Sequence, residues 1–333
     1  MEGMEMSGEK LENKNFWADR SVLVTGGAGF LGRHIVERLL SYSSDVVVLV
    51  KEQSSETQQE WSSGSVHIVY GDLREYVCVE ECINNHDVDT IIHLGAQPLV
   101  RPAMRSPLPT LETNIVGTLN ILEASRRIET VKRVAIASSD KAYGEQEVLP
   151  YTESASLNGI APYELSKVCT DILAQRFSQM YNLPIAVTRC GNFYGPGDVH
   201  FDRIVPGTIR SLLRGESPII RSDGKFLRDY LYVEDAANAY LTLAMNSDRD
   251  DVKGQAFNFG TGTPLTVLEI VEKICSACNI FIDPTILDTA RGEIRDQYLD
   301  SSKSEMVLGW KHQWSVDDAL VKTVDWYKKY FGV

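Results

Sequence analysis

Two short stretches of this 333-residue chain carry residue types that do chemistry together. Ser138-Ser139-Asp140-Lys141-Ala142-Tyr143-Gly144 sets hydroxyl, carboxyl and amine side by side, and Tyr163-Glu164-Leu165-Ser166-Lys167 holds a phenol and an amine four residues apart. Helical periodicity from Ala161 to Tyr181 predicts that Tyr163 and Lys167 project from one face. An ammonium beside a phenol favours the phenolate, which makes the tyrosine a usable base toward an alcohol near neutral pH. Ser139 would complete a proton relay. The same spacing occurs by chance on many helix surfaces, so its meaning depends on the elements that position it.

Those elements begin with Ser21-Val22-Leu23-Val24-Thr25, a β-branched run that breaks into Gly26-Gly27-Ala28-Gly29-Phe30-Leu31-Gly32 and continues with helical spacing from Arg33 to Leu40. Strand, glycine turn and helix in this order form a dinucleotide-binding pattern. Gly26, Gly29 and Gly32 permit a tight turn and close backbone approach to a pyrophosphate, whose charge then rests on the helix N-terminus, with Phe30 and Leu31 of the turn among the cofactor contacts. A second strand, Asp45 to Val50, ends at Lys51, where an acidic residue would hold the ribose 2′-hydroxyl of NAD. Lys51 therefore leans the expectation from NAD slightly toward NADP, its alternative being a solvated surface charge. A third strand, Ser65 to Tyr70, leads to Asp72 and Leu73; Asp72 either meets the adenine or caps a helix.

Val88 to Leu94 reads as a fourth strand. Leu94, Gly95, Ala96 and Gln97 then lie at the carboxyl edge, where open parallel sheets bind ligands. Thr110 to Arg127 is predicted as one amphipathic helix with Leu111, Ile115, Leu119 and Leu122 on one side. Val131 to Ala137, the fifth strand, delivers Ser139 to the same edge as the glycine loop, and Ile185 to Arg189 supplies a sixth.

Composition narrows the function classes. A formal charge of −13 argues against a nucleic-acid partner, because counterion release needs clustered Lys and Arg. Met1 to Asn15 lacks the apolar core of a signal peptide, and no stretch approaches the ~20 apolar residues of a membrane span. The expectation is a cytoplasmic protein without membrane contact. The 6 cysteines do not look like a disulfide framework, and the Cys78/Cys82 and Cys275/Cys278 pairs sit in helical segments without further ligands at zinc spacing, so no metal site is expected.

From Val22 to about Tyr327 the chain resembles the extended short-chain dehydrogenase/reductase family, in its branch acting on nucleotide-diphosphate sugars. The marks are Thr25 to Gly32, Tyr163 with Lys167, Arg189-Cys190-Gly191-Asn192-Phe193-Tyr194-Gly195-Pro196-Gly197 and Arg228-Asp229-Tyr230-Leu231-Tyr232-Val233-Glu234-Asp235. After Ser139 the Asp140-Lys141 pair, with Gln97 to Arg101 and Gly191-Asn192, looks most like CDP-glucose 4,6-dehydratases. The compact stretch from Gly144 to Tyr151 departs from that pattern toward the 4-epimerases.

The resemblance implies oxidation at sugar C4 with Tyr163 as base and NAD or NADP as a regenerated cofactor. Water is then lost across C5 and C6, with Asp140 as acid and Lys141 as C5 base, and hydride returns to C6 to give a 4-keto-6-deoxy sugar. Asp140-Lys141 as a solvated charge pair is the bland alternative. A Lys141 that stays charged would orient substrate or stabilise the enolate instead.

The resemblance further implies substrate contacts from Gln97, Arg101, Asn192, Arg203, Val205, Arg228 and Arg291, the last two clamping the diphosphate as guanidinium forks. A surface salt bridge is the alternative for either arginine. The implied fold is α/β: a Rossmann-type doubly wound parallel sheet, residues 17–190, with a smaller interleaved substrate-binding lobe, mainly residues 191–330. The substrate is a nucleotide-diphosphate hexose, and the helices holding Ile115 to Leu122 and Tyr163 to Phe177 imply a homodimer. The competing readings are a sugar-nucleotide 4-epimerase and a cofactor-binding regulator without turnover.

Overall fold

The computed structural model describes residues 14–51, 66–290 and 292–333. In chain order the elements that matter here are β1 (Ser21–Thr25), α1 (Phe30–Ser41), β2 (Asp45–Val50), β3 (Val66–Tyr70), α2 (Tyr76–Asn85) and β4 (Thr90–His93). Then come α3 (Gly117–Arg127), β5 (Arg133–Ala137), α4 (Pro162–Tyr181), β6 (Ile185–Cys190), β7 (Asn192–Tyr194), α5 (Ile204–Leu213), β8 (Ile219–Ile220), β9 (Leu227–Arg228) and β10 (Tyr230–Tyr232). The chain ends with α6 (Val233–Asn246), β11 (Ala256–Phe259), β12 (Leu265–Thr266), α7 (Val267–Cys278), β13 (Thr285–Ile286), β14 (Asp296–Gln297), α8 (Ser302–Leu308) and α9 (Val316–Phe331).

The main sheet has seven strands in the order β11-β6-β5-β4-β1-β2-β3. From β3 through β6 every neighbouring pair is parallel. The order reverses between β1 and β4, the switch point at which open α/β sheets take their ligands. β4 and β6 are buried along their whole length, as strands covered on both faces must be. The α/β class and the doubly wound sheet are as the sequence predicts.

The chain divides into two compact units. Among the described residues the first comprises 14–51, 66–138, 160–188 and 240–256, and its core packs Leu23, Val47, Ile91, Val134, Ile136 and Val187 of the strands against Val79, Ile83, Ile121, Leu122 and Ala174 of the helices. The second comprises residues 139–159, 189–239 and 257–333. It pairs β7 with β10, and β9 with β12 and β14. A smaller cluster of Tyr143, Tyr151 and Leu299 lies beside the 3-10 turn Asp140–Tyr143.

One element differs from its prediction. The helix expected from Thr110 to Arg127 is a short α-turn, Pro107–Leu111, a π-turn, Glu112–Val116, and then α3. A π-turn adds a residue to the helical repeat and rotates the helical turns after it. The buried face is therefore Asn114, Gly117, Thr118, Ile121, Leu122 and Ser125, and Leu119, expected on the apolar side, is 38% exposed. Among the described residues no helix is long and apolar enough to cross a membrane. The six cysteines are free; burial pushes the Cys82 thiol up to about 12 and that of Cys278 to about 11.

Candidate active site

The glycine loop meets the β4 edge within the first unit. Gly26 has φ +70, and a side chain there would come to 3.0 Å from Gly95 N. A side chain on Gly32 would lie 2.2 Å from Gly26 O and 2.6 Å from Gly27 Cα, so α1 sits tightly on its own loop. The helix starts at Phe30, three residues earlier than the apolar spacing suggests, and places Phe30, Leu31 and Gly32 in its first turn. First-turn amides have no intrahelical acceptor, and Gly29 at the N-cap supplies none from a side chain. A loop with no room for a Cβ at Gly27 or Gly32, in front of uncapped amides, suits a pyrophosphate. Leu73 packs beside the same edge, its Cδ1 2.4 Å from where a Gly95 Cβ would be, and its carbonyl accepts from Asn120 Nδ2 at 2.8 Å.

Lys51 is 63% exposed and lies 3.9 Å from Asp72, whose carboxylate also holds Arg74 at 2.6 Å. The Arg74 guanidinium keeps the Asp72 carboxyl below its ordinary range. Asp72 does not cap α2, whose N-cap is Glu75; it accepts the Arg74 N–H in a local turn instead.

On α4, Lys167 is 5% exposed and its Nζ donates to Ala137 O at 2.8 Å, the last carbonyl of β5. Burial pushes its pKa down to about 8, with the Asp171 carboxylate opposing the shift. Tyr163 is half-buried one turn earlier on the helix. Its carbonyl accepts from Ser166 Oγ at 2.6 Å, and Ser166 Oγ accepts from Asn114 Nδ2 at 2.8 Å. Asn114 also exchanges both hydrogen bonds with the Gln97 backbone, N–H to Oδ1 at 2.7 Å and Nδ2 to the carbonyl at 3.2 Å. The π-turn thus aims one buried amide at both the β4 edge and the start of α4.

His93 extends this network. Thr118 Oγ1 gives its single proton to Asn114 O at 2.6 Å, so toward His93 Nε2, 3.1 Å away, it accepts. That fixes the Nε2–H tautomer, leaving Nδ1 to accept from Thr25 Oγ1 at 2.7 Å while Thr25 takes the Gly95 N–H at 3.0 Å. Burial, and secondarily the Lys167 charge, push the His93 pKa down to about 3, so the ring is neutral. Asn114, Thr118 and His93 are absent from the predicted site. The available signal was a row of polar residues, Asn114, Thr118 and Ser125, at helical spacing inside an otherwise apolar segment.

In the second unit, Ser139 caps the 3-10 turn Asp140–Tyr143 and accepts the Lys141 N–H. Ser139 Oγ donates to Asp140 Oδ1 at 2.9 Å, and Asp140 is 2% exposed, so this carboxyl is not part of a solvated charge pair. Lys141 Nζ donates to Gln297 Oε1 at 3.1 Å. Tyr143 at the end of the turn donates to Asn258 Oδ1 at 2.7 Å and accepts from Arg189 Nη1 at 2.9 Å.

The remaining predicted contacts are divided between the units. In the first, Ala96 follows Gly95, Gln97 turns its side-chain oxygen onto the Leu99 N–H, and Arg101 is exposed. In the second, Asn192 opens β7, opposite Tyr230 of β10. Arg228 gives its guanidinium to the carbonyls of Leu227, Ile294 and Arg295, so neither a surface salt bridge nor a free fork describes it. Arg203 pairs with Asp198 at 3.0 Å, and Val205 is buried at the start of α5. Arg291 lies outside the described residues.

A glycine loop at the switch point of a parallel sheet is the arrangement of a dinucleotide-binding α/β protein, and α4 of the same unit sets a buried lysine four residues after a tyrosine. The chain belongs to the NAD dependent epimerase/dehydratase family, whose model matches residues 22–260. It is 34% identical to a provisionally named UDP-glucose 4-epimerase of Methanocaldococcus jannaschii, over 92% of this chain and 98% of the relative. It is 30% identical to a dTDP-glucose 4,6-dehydratase of Shigella flexneri, over 92% of each chain, and 29% identical to a CDP-glucose 4,6-dehydratase of Salmonella typhimurium, over 95% and 92%. Among solved structures, UDP-glucose 4-epimerase of Thermotoga maritima with UDP-glucose has a TM-score of 0.85 at 30% identity, covering 93% of this chain and 99% of that one. A dTDP-glucose 4,6-dehydratase of Streptomyces venezuelae with NAD bound has a TM-score of 0.84 at 27% identity, covering 94% and 98%.

Proposed function

We propose that this chain is a nucleotide-diphosphate-sugar 4,6-dehydratase. The observation that carries the reading is the Asp140-Lys141 pair on a turn capped by Ser139, with the carboxyl buried and the amine tethered. Small uncharged residues would serve a 4-epimerase at these two positions; an acid and an amine serve the loss of water. Tyr163 takes the proton of the sugar 4-hydroxyl, and the charge on Lys167 favours its phenolate. The 4-ketone acidifies C5; Lys141 takes the C5 proton, and Asp140 protonates the departing 6-hydroxyl. The cofactor, when bound, accepts hydride from C4 and supplies it to C6.

NAD is the proposed cofactor. Gly26, Gly29, Phe30, Leu31 and Gly32 hold its pyrophosphate, and Leu73, Leu94, Gly95 and Ala96 line its path. The lean toward NADP loses its support, because Lys51 already stands beside the Asp72 carboxylate. In this reading the first unit holds the cofactor, while Asn192, Arg203 and Val205 of the second, with Arg291, hold a nucleotide-diphosphate hexose; Arg228, held by three backbone carbonyls, takes no substrate contact. Identities of 29% to 34% across UDP, dTDP and CDP relatives leave the nucleotide unassigned. Pairing of two copies is proposed from the exposed apolar residues Leu108, Val116, Leu119, Leu165 and Ile172 along the same group of helices.

A 4-epimerase is the second reading, favoured by the 34% identical relative. Incubation with UDP-, dTDP- and CDP-glucose separates the two. A 4-keto product lacking the 6-hydroxyl supports dehydration, and a C4 epimer formed without loss of water rejects it. A Tyr163→Phe variant is expected to lose about 100-fold or more in either reaction; unchanged turnover would reject the assignment of the base.

A further inference from the structure

Gln297 is fully buried, yet both ends of its side-chain amide are engaged on the turn that carries Asp140 and Lys141. Asp140 O is a carbonyl and only accepts, so it faces Nε2, at 3.0 Å. That fixes the other end: Oε1 faces Lys141 Nζ at 3.1 Å. The residue sits on β14, in register with Arg228 of β9. One side chain therefore spans from the strand pair that holds Arg228 to the turn that holds the two groups after Ser139.

We propose that Gln297 is a positioning residue for Lys141, orienting its amine for proton transfer and tying that orientation to the strand that carries Arg228. A neutral lysine amine has two N–H bonds and one lone pair. With one N–H given to Oε1, the lone pair is held in a restricted set of directions, away from Gln297. When the C5–H bond breaks and its proton joins this lone pair, the electron pair left on C5 is drawn into the 4-ketone. The new ammonium keeps Oε1 as an acceptor, and a hydrogen bond to a charged donor is stronger than one to a neutral donor. Gln297 thus favours the protonated product of the transfer over its neutral start. The second hydrogen bond, to Asp140 O, stops the amide from rotating and holds the turn at a fixed height on β14. Charged neighbours on these elements are Asp140 itself, Arg228, Arg295 and Asp296.

This inference rests on the dehydratase reading for the step it assists, and its test includes a readout independent of turnover. In the NAD-loaded enzyme, lysines are reductively methylated with a carbon-13 label, and the Lys141 signal is assigned by its loss in Lys141→Arg. Gln297→Met removes both hydrogen bonds at nearly constant volume, and the Lys141 titration midpoint is expected to fall by about 1 unit. Gln297→Glu adds a negative charge at the same place, and the midpoint is expected to rise. With sugar nucleotide, Gln297→Met is expected to lose about 10-fold or more in kcat and in C5 exchange with solvent. KM and reduction of the nicotinamide by the C4 alcohol should stay within about 3-fold.

Midpoints that do not move in either variant overturn the proposal, as does a loss confined to KM. If Gln297→Met does not fold, the Gln297→Glu titration decides alone. If the wild type forms a C4 epimer without C5 exchange, the dehydratase reading fails, while the opposed shifts at Lys141 still decide whether Gln297 sets the state of that amine.

Discussion

Lys167 and Ala137 are joined by a 2.8 Å hydrogen bond from the buried lysine amine to the last carbonyl of β5. The contact anchors α4 to the strand that runs into Ser138 and Ser139, and the lysine is buried there. Burial then moves its pKa down to about 8, close to the pH at which the enzyme would work.

That value implies an alkaline limit on C4 oxidation. Below about 8 Lys167 is charged and supports the Tyr163 phenolate; above it the charge and the support are lost together. The rate of nicotinamide reduction by sugar nucleotide, followed against pH, should fall with a midpoint near 8. Lys167→Arg keeps its charge throughout this range, so the falling limb should disappear even if the maximal rate drops about 10-fold. An unchanged midpoint in that variant would assign the limb to another group.

Lys141→Ala should separate the two halves of the reaction. Exchange of the C5 proton with deuterated solvent should fall by about 100-fold or more, while reduced nicotinamide still forms and accumulates. Full exchange in the variant would remove Lys141 from the base role.

Gly32→Ala tests the cradle. The added methyl would lie 2.2 Å from Gly26 O, against backbone that has no side chain to move aside. A stability loss of about 1–3 kcal/mol is expected from overpacking. NAD affinity, measured by titration calorimetry, should fall about 10-fold or more, because α1 and its loop have to separate. Unaltered affinity would place the pyrophosphate elsewhere.

His93 predicts a signature in folding. It is neutral in the native state down to about 3 and protonates near 6.5 when unfolded. Between those values the unfolded chain binds one more proton, so stability is complete above about 6.5 and declines as pH falls. The decline is about 1.4 kcal/mol per pH unit for this group. Denaturant unfolding of His93→Gln should show a shallower acid dependence than the wild type, by about one proton. Equal slopes would contradict a buried neutral imidazole.

The strands, the glycine turn and the Tyr163/Lys167 spacing were legible in the chain itself. Each is a local pattern: a period of two, a turn that requires glycine, a period of 3.6. Helix phase failed at Glu112–Val116, because a π-turn adds a residue without a distinctive composition. Lys51 and Arg228 illustrate a different shortfall. Their types suggested a free charge for a phosphate, but the fold gives one an acidic neighbour and the other three backbone carbonyls.

By itself the sequence determined a dinucleotide-binding half and a tyrosine four residues before a lysine on one helix, since each of those signals is complete within a few residues. Tertiary structure alone decided what surrounds them. Gln297 lies 156 residues from Lys141, and Thr25 lies 68 from His93. Nothing in a linear order of residues states which returning segments meet. That pairing is set by strand register and by the need of each buried polar group to find a partner once water is gone.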